Sequence, residues 1–390
     1  MQKTILCLDF NLEKPIQRLR LDGIRRYAKA HGWEVDVESG RDATPDNLPE
    51  ILATCRPVGC IAECWAGCVH LPPRLFGALP VVHFDPPETA EFRNAATVEC
   101  DNAAVAAVAF RELSAGLPPS YAVMPFAQPH RWALERAEAF RALCRENGRP
   151  CRVFPDSPES EAADGRAARL AAWVAALPPH CAIFAVSDLA AGEVAGALAA
   201  AGRSVPRTAT LVGADAAGDR TSPPDRPSIS SVRIDFELAG FLAARLLAEK
   251  IENPSAGAQP LSRAATFGPL LVERRQSTGG RGRREPHILK AVEMIRREAC
   301  DGLTAAALAA RFRVSRAHFE RRFREATGHS VLDEILHVRM ENAEILLSRN
   351  DIAIGAIYFR CGFSTDRELR SLFLSRMRVS MRQWRRDHAR

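Results

Sequence analysis

Through the first two-thirds of the chain, short apolar runs take turns with longer stretches of helical periodicity. The runs at 4–8, 58–62, 80–84, 121–124, 182–186 and 210–213 have the length and composition of buried strands. Between and after them, 15–31, 105–113, 131–146, 190–201 and 236–251 carry apolar residues at helical spacing. Repeated βα units of this kind predict parallel sheet with helices on both faces. Beyond residue 285 the period is helical throughout, in short segments ended by Asp301-Gly302, Thr327-Gly328 and Cys361-Gly362, which predicts an all-α domain. The stretch 273–285 separates the two patterns: it holds three Gly, two hydroxyl residues and no apolar residue, so it reads as a linker with nothing to bury. The expected division is 1–273, a basic flexible linker at 274–285, and 286–390. At 390 residues the chain is indeed too long for one ordinary core.

Charge sharpens this division. Residues 1–273 carry 28 Lys+Arg against 33 Asp+Glu, whereas 274–285 carry five Arg against one Glu and 286–390 carry 20 basic against 13 acidic residues. In the last segment Lys290 is the only lysine, and arginine suits bidentate contacts to phosphate and guanine. Hydrophobic content of 47% with 26% charge excludes a wholly disordered or fibrous chain. No run of eighteen apolar residues and no leader-like N-terminus is present, so the expectation is a cytoplasmic protein with no membrane partner. Eleven cysteines, several inside apolar runs, fit reduced thiols.

The C-terminal segment repeats one grammar. Residues 308–323 read as two helices around a turn at Arg313-Val314, with Leu308, Phe312, Phe319 and Phe323 inward and Ser315 capping the second helix. About forty-six residues on, 354–373 repeats it, with Leu369 and Phe373 inward. Two helix-turn-helix units in tandem place the outward faces of their second helices in the major groove. Those faces carry Ala317, Glu320, Arg321 and Arg324, then Asp366, Arg367, Arg370 and Ser371. With the intervening helix at 339–347 and the Cys361-Gly362-Phe363 turn, the last hundred residues resemble the DNA-binding domain of AraC-family regulators. The resemblance implies base reading at Ala317, Glu320, Arg321, Asp366, Arg367 and Ser371. Arg324 and Arg370 lie nearer the helix end, towards phosphate. Arg313, Tyr358 and Met381 depart from the family's usual Gly, small residue and Pro.

In a parallel sheet, ligands lie beyond the carboxyl ends of strands. Asp9, Trp65, Asp85, Asp101-Asn102, Arg131-Trp132, Asp188 and Asp215 all follow apolar runs. Acids with an arginine and an indole suit a sugar, since charged groups bond its hydroxyls and the ring covers its C–H face. Each Asp alone is more readily a helix cap, and it is their joint placement that points to a site. The series Val98-Glu-Cys-Asp101-Asn102, Glu135-Arg136, Ser187-Asp188 and Val212-Gly213-Ala-Asp215 resembles the sensor of LacI-type repressors, and its union with an AraC-type domain resembles the xylose-operon regulator group. That likeness implies effector contacts at Asp101, Arg136, Ser187 and Asp215, with Arg131, Trp132 and Asp188 nearby.

The two resemblances together imply an α/β two-lobed periplasmic-binding-protein-like sensor followed by an all-α domain with two helix-turn-helix units. The expected function is a sequence-specific transcription regulator controlled by a small carbohydrate, a pentose such as xylose. Its expected partners are a double-stranded operator, a second copy of the chain and RNA polymerase. No cofactor, metal or catalysis is expected: Cys60, Cys64, Cys68 and His70 lack a metal-ligand spacing, and no phosphate loop or nucleophile motif occurs. A sugar-acting α/β enzyme fused to a DNA-binding domain and a ligand-independent DNA-binding regulator remain as alternatives.

Overall fold

A computed structural model describes residues 3–38, 43–64, 70–93, 95–126, 130–155, 163–216, 227–252, 264–279, 286–327, 329–348 and 353–388. The chain divides into two units, 1–283 and 284–390.

The first unit has two lobes, each a six-stranded sheet. Lobe 1 contains β1 (Lys3–Leu8), β2 (Trp33–Glu38), β3 (Gly59–Glu63), β4 (Val81–Phe84), β5 (Ala96–Cys100) and β11 (Ala264–Phe267), in the order β11-β5-β4-β3-β1-β2. Lobe 2 contains β6 (Tyr121–Met124), β7 (Cys151–Val153), β8 (Cys181–Ala185), β9 (Ala209–Asp215), β10 (Ser230–Ile234) and β12 (Pro269–Glu273), in the order β12-β10-β9-β8-β6-β7. All pairings are parallel except β10 with β12. The central strands β3, β4, β6 and β8 are buried along their whole length, as two-sided parallel sheet requires. Helices α1 (Pro15–His31), α2 (Leu48–Cys55) and α7 (Phe236–Glu252) pack on lobe 1. Lobe 2 carries α3 (Asn102–Ser114), α4 (Arg131–Glu146), α5 (Ala163–Ala176) and α6 (Asp188–Ala200).

Three crossings join the lobes: after β5, after β10, and between β11 and β12. They are tied together, because Asp101 N–H donates to the Phe267 carbonyl at 2.7 Å and Asp235 N–H to that of Gly268 at 3.0 Å. Two glycines let α1 and α7 cross in backbone contact. A Cβ on Gly23 would lie 1.9 Å from the Glu237 carbonyl oxygen, and one on Gly240 would lie 1.7 Å from that of Arg20. This contact seats Arg20 against the lobe.

The segment expected to run free from residue 274 is packed over its first part. Arg274 Nε donates to Glu112 Oε2 at 2.8 Å, and Ser277 is fully buried. Ser277 Oγ–H donates to the Leu211 carbonyl at 2.5 Å and accepts from Ser230 N–H at 2.8 Å. The composition argument counted apolar side chains only, whereas this strand of chain is buried through hydroxyls and backbone. Residues 280–285 lie outside the described residues.

The second unit is all-α: α8 (Pro286–Glu298), α9 (Ala305–Arg311), α10 (Arg316–Thr327), α11 (Val331–Ser348), α12 (Ile357–Arg360), α13 (Asp366–Met377) and α14 (Met381–His388). Arg339 on α11 is buried, donating from Nε to the Ala299 carbonyl at 2.9 Å and from Nη2 to that of Leu303 at 3.0 Å. Its guanidinium lies 5.7 Å from the Phe363 ring, so one side chain ties the α8 end to the second helix-turn-helix unit.

Candidate functional site

Polar side chains from both lobes meet beside the crossings. On lobe 2, Arg136 of α4 is 3% exposed and has four described partners. It donates to Asn102 Oδ1 at 2.8 Å, the Val186 carbonyl at 2.9 Å and Asp215 Oδ1 at 3.0 Å, and reaches Cys100 Sγ at 3.7 Å. The Trp132 ring lies 4.7 Å from its guanidinium, and Asn102 in turn donates to Glu135 at 2.7 Å. Beneath this pair Asp188 accepts from Ser231 Oγ at 2.6 Å, in space left by Gly213, where a Cβ would fall 2.3 Å from Asp188 Oδ1. Burial, reinforced by the Asp215 carboxylate, pushes the Asp188 carboxyl up to about 7. Burial also pushes Asp215 up, with Arg136 opposing.

On lobe 1, Arg20 of α1 is 7% exposed and donates to Glu63 Oε2 at 2.6 Å and Asp85 Oδ2 at 2.9 Å. Its guanidinium stands over three rings, Phe84 at 4.3 Å, Phe236 at 5.5 Å and Phe267 at 5.9 Å. The two halves touch at Cys100, whose N–H donates to Asp85 Oδ1 at 3.3 Å while its sulfur meets Arg136. The Asp215 carboxyl lies within the fields of Arg20 and Asp85 as well as Arg136. Backbone strain gathers here too: Asp9 and Asp85, each directly after a strand, and Asp215, the last residue of β9, have φ of 65°, 43° and 102°. Left-handed backbone at non-glycine residues is costly and persists where surrounding structure fixes it.

In the second unit, Thr304 caps α9 and Ser315 caps α10, accepting from His318 N–H at 3.3 Å. Leu308, Phe319 and Phe323 are buried, and Phe312 is half-buried, stacked on Phe319 at 5.2 Å. Arg313, in the turn, has φ 54°, a conformation glycine adopts without strain. Thr365 caps α13, and Gly362 in the preceding turn (φ 74°) leaves no room for a Cβ, which would lie 2.8 Å from the Ala299 carbonyl. Ala317, Arg321, Arg324, Arg367, Arg370 and Ser371 are exposed. Glu320 and Asp366 are half-buried beneath an arginine four residues on, Arg324 at 3.5 Å and Arg370 at 2.6 Å.

Residues 121–278 match the family of periplasmic binding protein-like domains, and 308–387 match a helix-turn-helix domain. The xylose operon regulatory protein of Escherichia coli (strain K12) is 26% identical over 406 aligned positions, covering 97% of this chain and 96% of that one. The chain is a transcription regulator that joins a periplasmic-binding-protein-like sensor to a helix-turn-helix domain. The regulator of the same name from Haemophilus influenzae is 26% identical over 256 positions, 65% of each chain. A solved structure of a xylose-binding transcription activator superposes with a TM-score of 0.57 at 25% identity, covering 100% of this regulator and 99% of that chain. A transcriptional regulator solved with cellobiose shares the sensor fold, with a TM-score of 0.55 at 20% identity over 71% of this chain and 85% of that one. Among the regulator's described residues, no helix is long and apolar enough to cross a membrane.

The structure brings Trp132, Arg136, Ser187, Asp188 and Asp215 into one region of lobe 2, with Ser187 also capping α6. Asp101 does other work: exposed, it caps α3 through Ala104 N–H at 2.8 Å and holds a crossing through its own N–H. Arg131 is gripped by Glu99 at 2.5 Å and by Glu88 and Glu135 at 3.4 Å. It lines a hollow of about 390 Å³ with Pro86, Phe92 and Thr97 rather than joining Arg136. Cys60 and Cys64 are buried beside β3, while Trp65 and Cys68 lie outside the described residues. Sequence reasoning missed Arg20 and Glu63. A signal for Arg20 existed: it shares the inward stripe of α1 with Gln17, Ile24 and Tyr27.

Proposed function

We propose that the regulator acts in the cytoplasm as a homodimer on duplex DNA, and that a neutral sugar in the cleft between its lobes sets its DNA affinity. The single observation carrying this reading is the Arg136–Asp215 pair. It is a buried, oriented donor and acceptor at the strand ends of lobe 2, with Trp132 alongside, in a chain that also bears two helix-turn-helix units. Arg136 and Asp215 bond ring hydroxyls, Trp132 covers the C–H face, and Ser187 and Asp188 shape the floor. Asp101 and Arg131 act at the rim. Xylose, named for the relatives, is the first sugar to try, with other pentoses after it.

On DNA, Ala317, Glu320, Arg321, Asp366, Arg367 and Ser371 face base edges, while Arg324 and Arg370 face phosphate. RNA polymerase is a further partner in this reading. A ligand shifts DNA affinity only if it favours one state of the sensor over another. The test is a thermal-shift panel of pentoses and hexoses on the full-length protein, since a native-state ligand raises stability by mass action. Gel-shift titration on operator DNA with and without the best sugar follows. No shift with any sugar defeats sugar control, and conversion of the bound sugar to product would favour an enzyme.

A further inference from the structure

We propose that Arg20, on α1, is a specificity-determining effector contact, forming with Asp85 the lobe 1 half of the site and selecting neutral polyols over phosphorylated or carboxylated sugars. This rests on the reading that the cleft between the lobes binds the sugar.

Four observations carry it. Arg20 is almost wholly buried, yet its Nε has no hydrogen-bond partner among the described residues. A buried guanidinium donor without an acceptor is costly unless something arrives to accept from it. Next to it, Asp85 is the most open member of the cluster, its side chain 18% exposed against 1% for Glu63. Donor and acceptor side by side are the pattern a single hydroxyl satisfies, accepting from the arginine and donating to the carboxylate. Third, Arg20 cannot swing away. Glu63 holds one terminal nitrogen, Asp85 the other, and Phe84, Phe236 and Phe267 wall the guanidinium in. Glu63 is thus a positioning residue.

The fourth is charge. The lobe 1 cluster sets two carboxylates against one guanidinium, with the Asp9 carboxyl close to Glu63, while the neighbouring Asp215 carboxylate is already matched by Arg136. Burial, with the Glu63 carboxylate adding to it, pushes the Asp9 carboxyl up to about 7. A phosphate or carboxylate on the ligand would add to that excess, whereas a hydroxyl does not. Phe236 and Phe267 each stand beside a lobe crossing, so a ligand held by Arg20 also presses on the hinge.

Asp85→Asn and Glu63→Gln keep shape and remove one charge, and Arg20→Lys keeps charge while losing the fork. Each full-length variant is titrated by calorimetry with the panel's best sugar, the remaining sugars, and that sugar's phosphate and uronate. The expected result is a loss of about 10- to 100-fold for the best sugar in Asp85→Asn and Arg20→Lys, with a changed ranking of sugars. A smaller loss without re-ranking is expected in Glu63→Gln. The wild type should bind the neutral sugar more tightly than its charged derivatives. Unchanged affinity and ranking in a folded Asp85→Asn protein, while the wild type binds sugar, overturns the subsite and leaves the cleft reading intact. Tighter binding of the phosphate or uronate overturns the neutral class. A wild type that binds no sugar brings down the cleft reading and this subsite together.

Discussion

Arginine works in opposite ways in the two units. In the sensor, Arg20 and Arg136 are 7% and 3% exposed, fixed by carboxylates at 2.6–3.0 Å and laid against aromatic rings. In the DNA-binding unit, Arg321, Arg324, Arg367 and Arg370 stand in solvent, and the pairs formed by Arg324 and Arg370 are to an acid one turn back on the same helix. A buried guanidinium with its carboxylates cancels charge and keeps direction, which suits a neutral ligand that must be oriented. An exposed one keeps charge and gives up direction, which suits a polyanion.

Stability separates the two uses most widely. Arg20→Met leaves Glu63 and Asp85 buried without their partner, and breaking a buried pair costs about 3–5 kcal/mol. Arg321→Ala and Arg367→Ala touch no core and should stay within about 0.5 kcal/mol. Urea unfolding that follows each unit separately checks this, and equal losses would erase the distinction. Ligand binding comes next: Asp215→Ala strips Arg136 of its carboxylate and should weaken the effector by about 2–4 kcal/mol, read by calorimetry. Unchanged affinity in a folded protein removes Asp215 from the site.

For the exposed set the effect is smaller and lies in selectivity. Arg321→Ala should relax preference at one operator position by about 1–3 kcal/mol, while Arg324→Ala weakens all sequences alike and lowers the salt slope by about one. If both weaken every sequence equally, Arg321 does not read a base.

The smallest effect is in pH. The Asp188 carboxyl sits at about 7 against an ordinary 3.8, so the folded sensor keeps a proton that the unfolded chain has lost. Sensor stability should therefore rise as pH falls from 8 towards 5. Asp188→Asn should flatten that rise in part, because Asp9 contributes with the same sign. In the other unit, the Glu334 carboxylate 2.7 Å away raises His329, whose contribution is complete below its ordinary 6.5 and is lost as pH climbs through the higher folded value. Melting each unit between pH 5 and 8 checks both, and a wild-type sensor no more stable at pH 5 than at 8 would defeat the first.

Lobe 2 was legible in the sequence because Asp188 and Asp215 follow apolar runs, where the rule about strand ends reaches them, while Ser187 and Arg136 came through the resemblance to LacI-type sensors. Arg20 was passed over despite its place on the inward stripe of α1, because in Arg-Leu-Arg-Leu-Asp-Gly-Ile-Arg-Arg it reads as one charge on a solvated helix, and the approach of α7 through Gly23 and Gly240 seats it against the lobe. β2 escaped notice because an edge strand, Trp-Glu-Val-Asp-Val-Glu, alternates polar and apolar residues instead of running apolar. β11 and β12 escaped because they are short and separated by Gly268 alone. Asp101, also a strand-end acid, caps α3, the plainer reading for any one such Asp alone. The helix-turn-helix pair was the most legible part, since its core spacing is local and doubled.

The packed run 274–279 decides where the sensor can be cut for study on its own. A fragment ending at 273 keeps every strand, yet it removes the acceptor of Ser230 N–H and the donor to the Leu211 carbonyl, both inside lobe 2. Each group left without a partner in the interior costs about 1–3 kcal/mol. A fragment ending at 279 retains both bonds and the Arg274 contact to Glu112. The shorter piece should melt earlier, so six residues without one apolar side chain set the difference between a stable fragment and a weakened one.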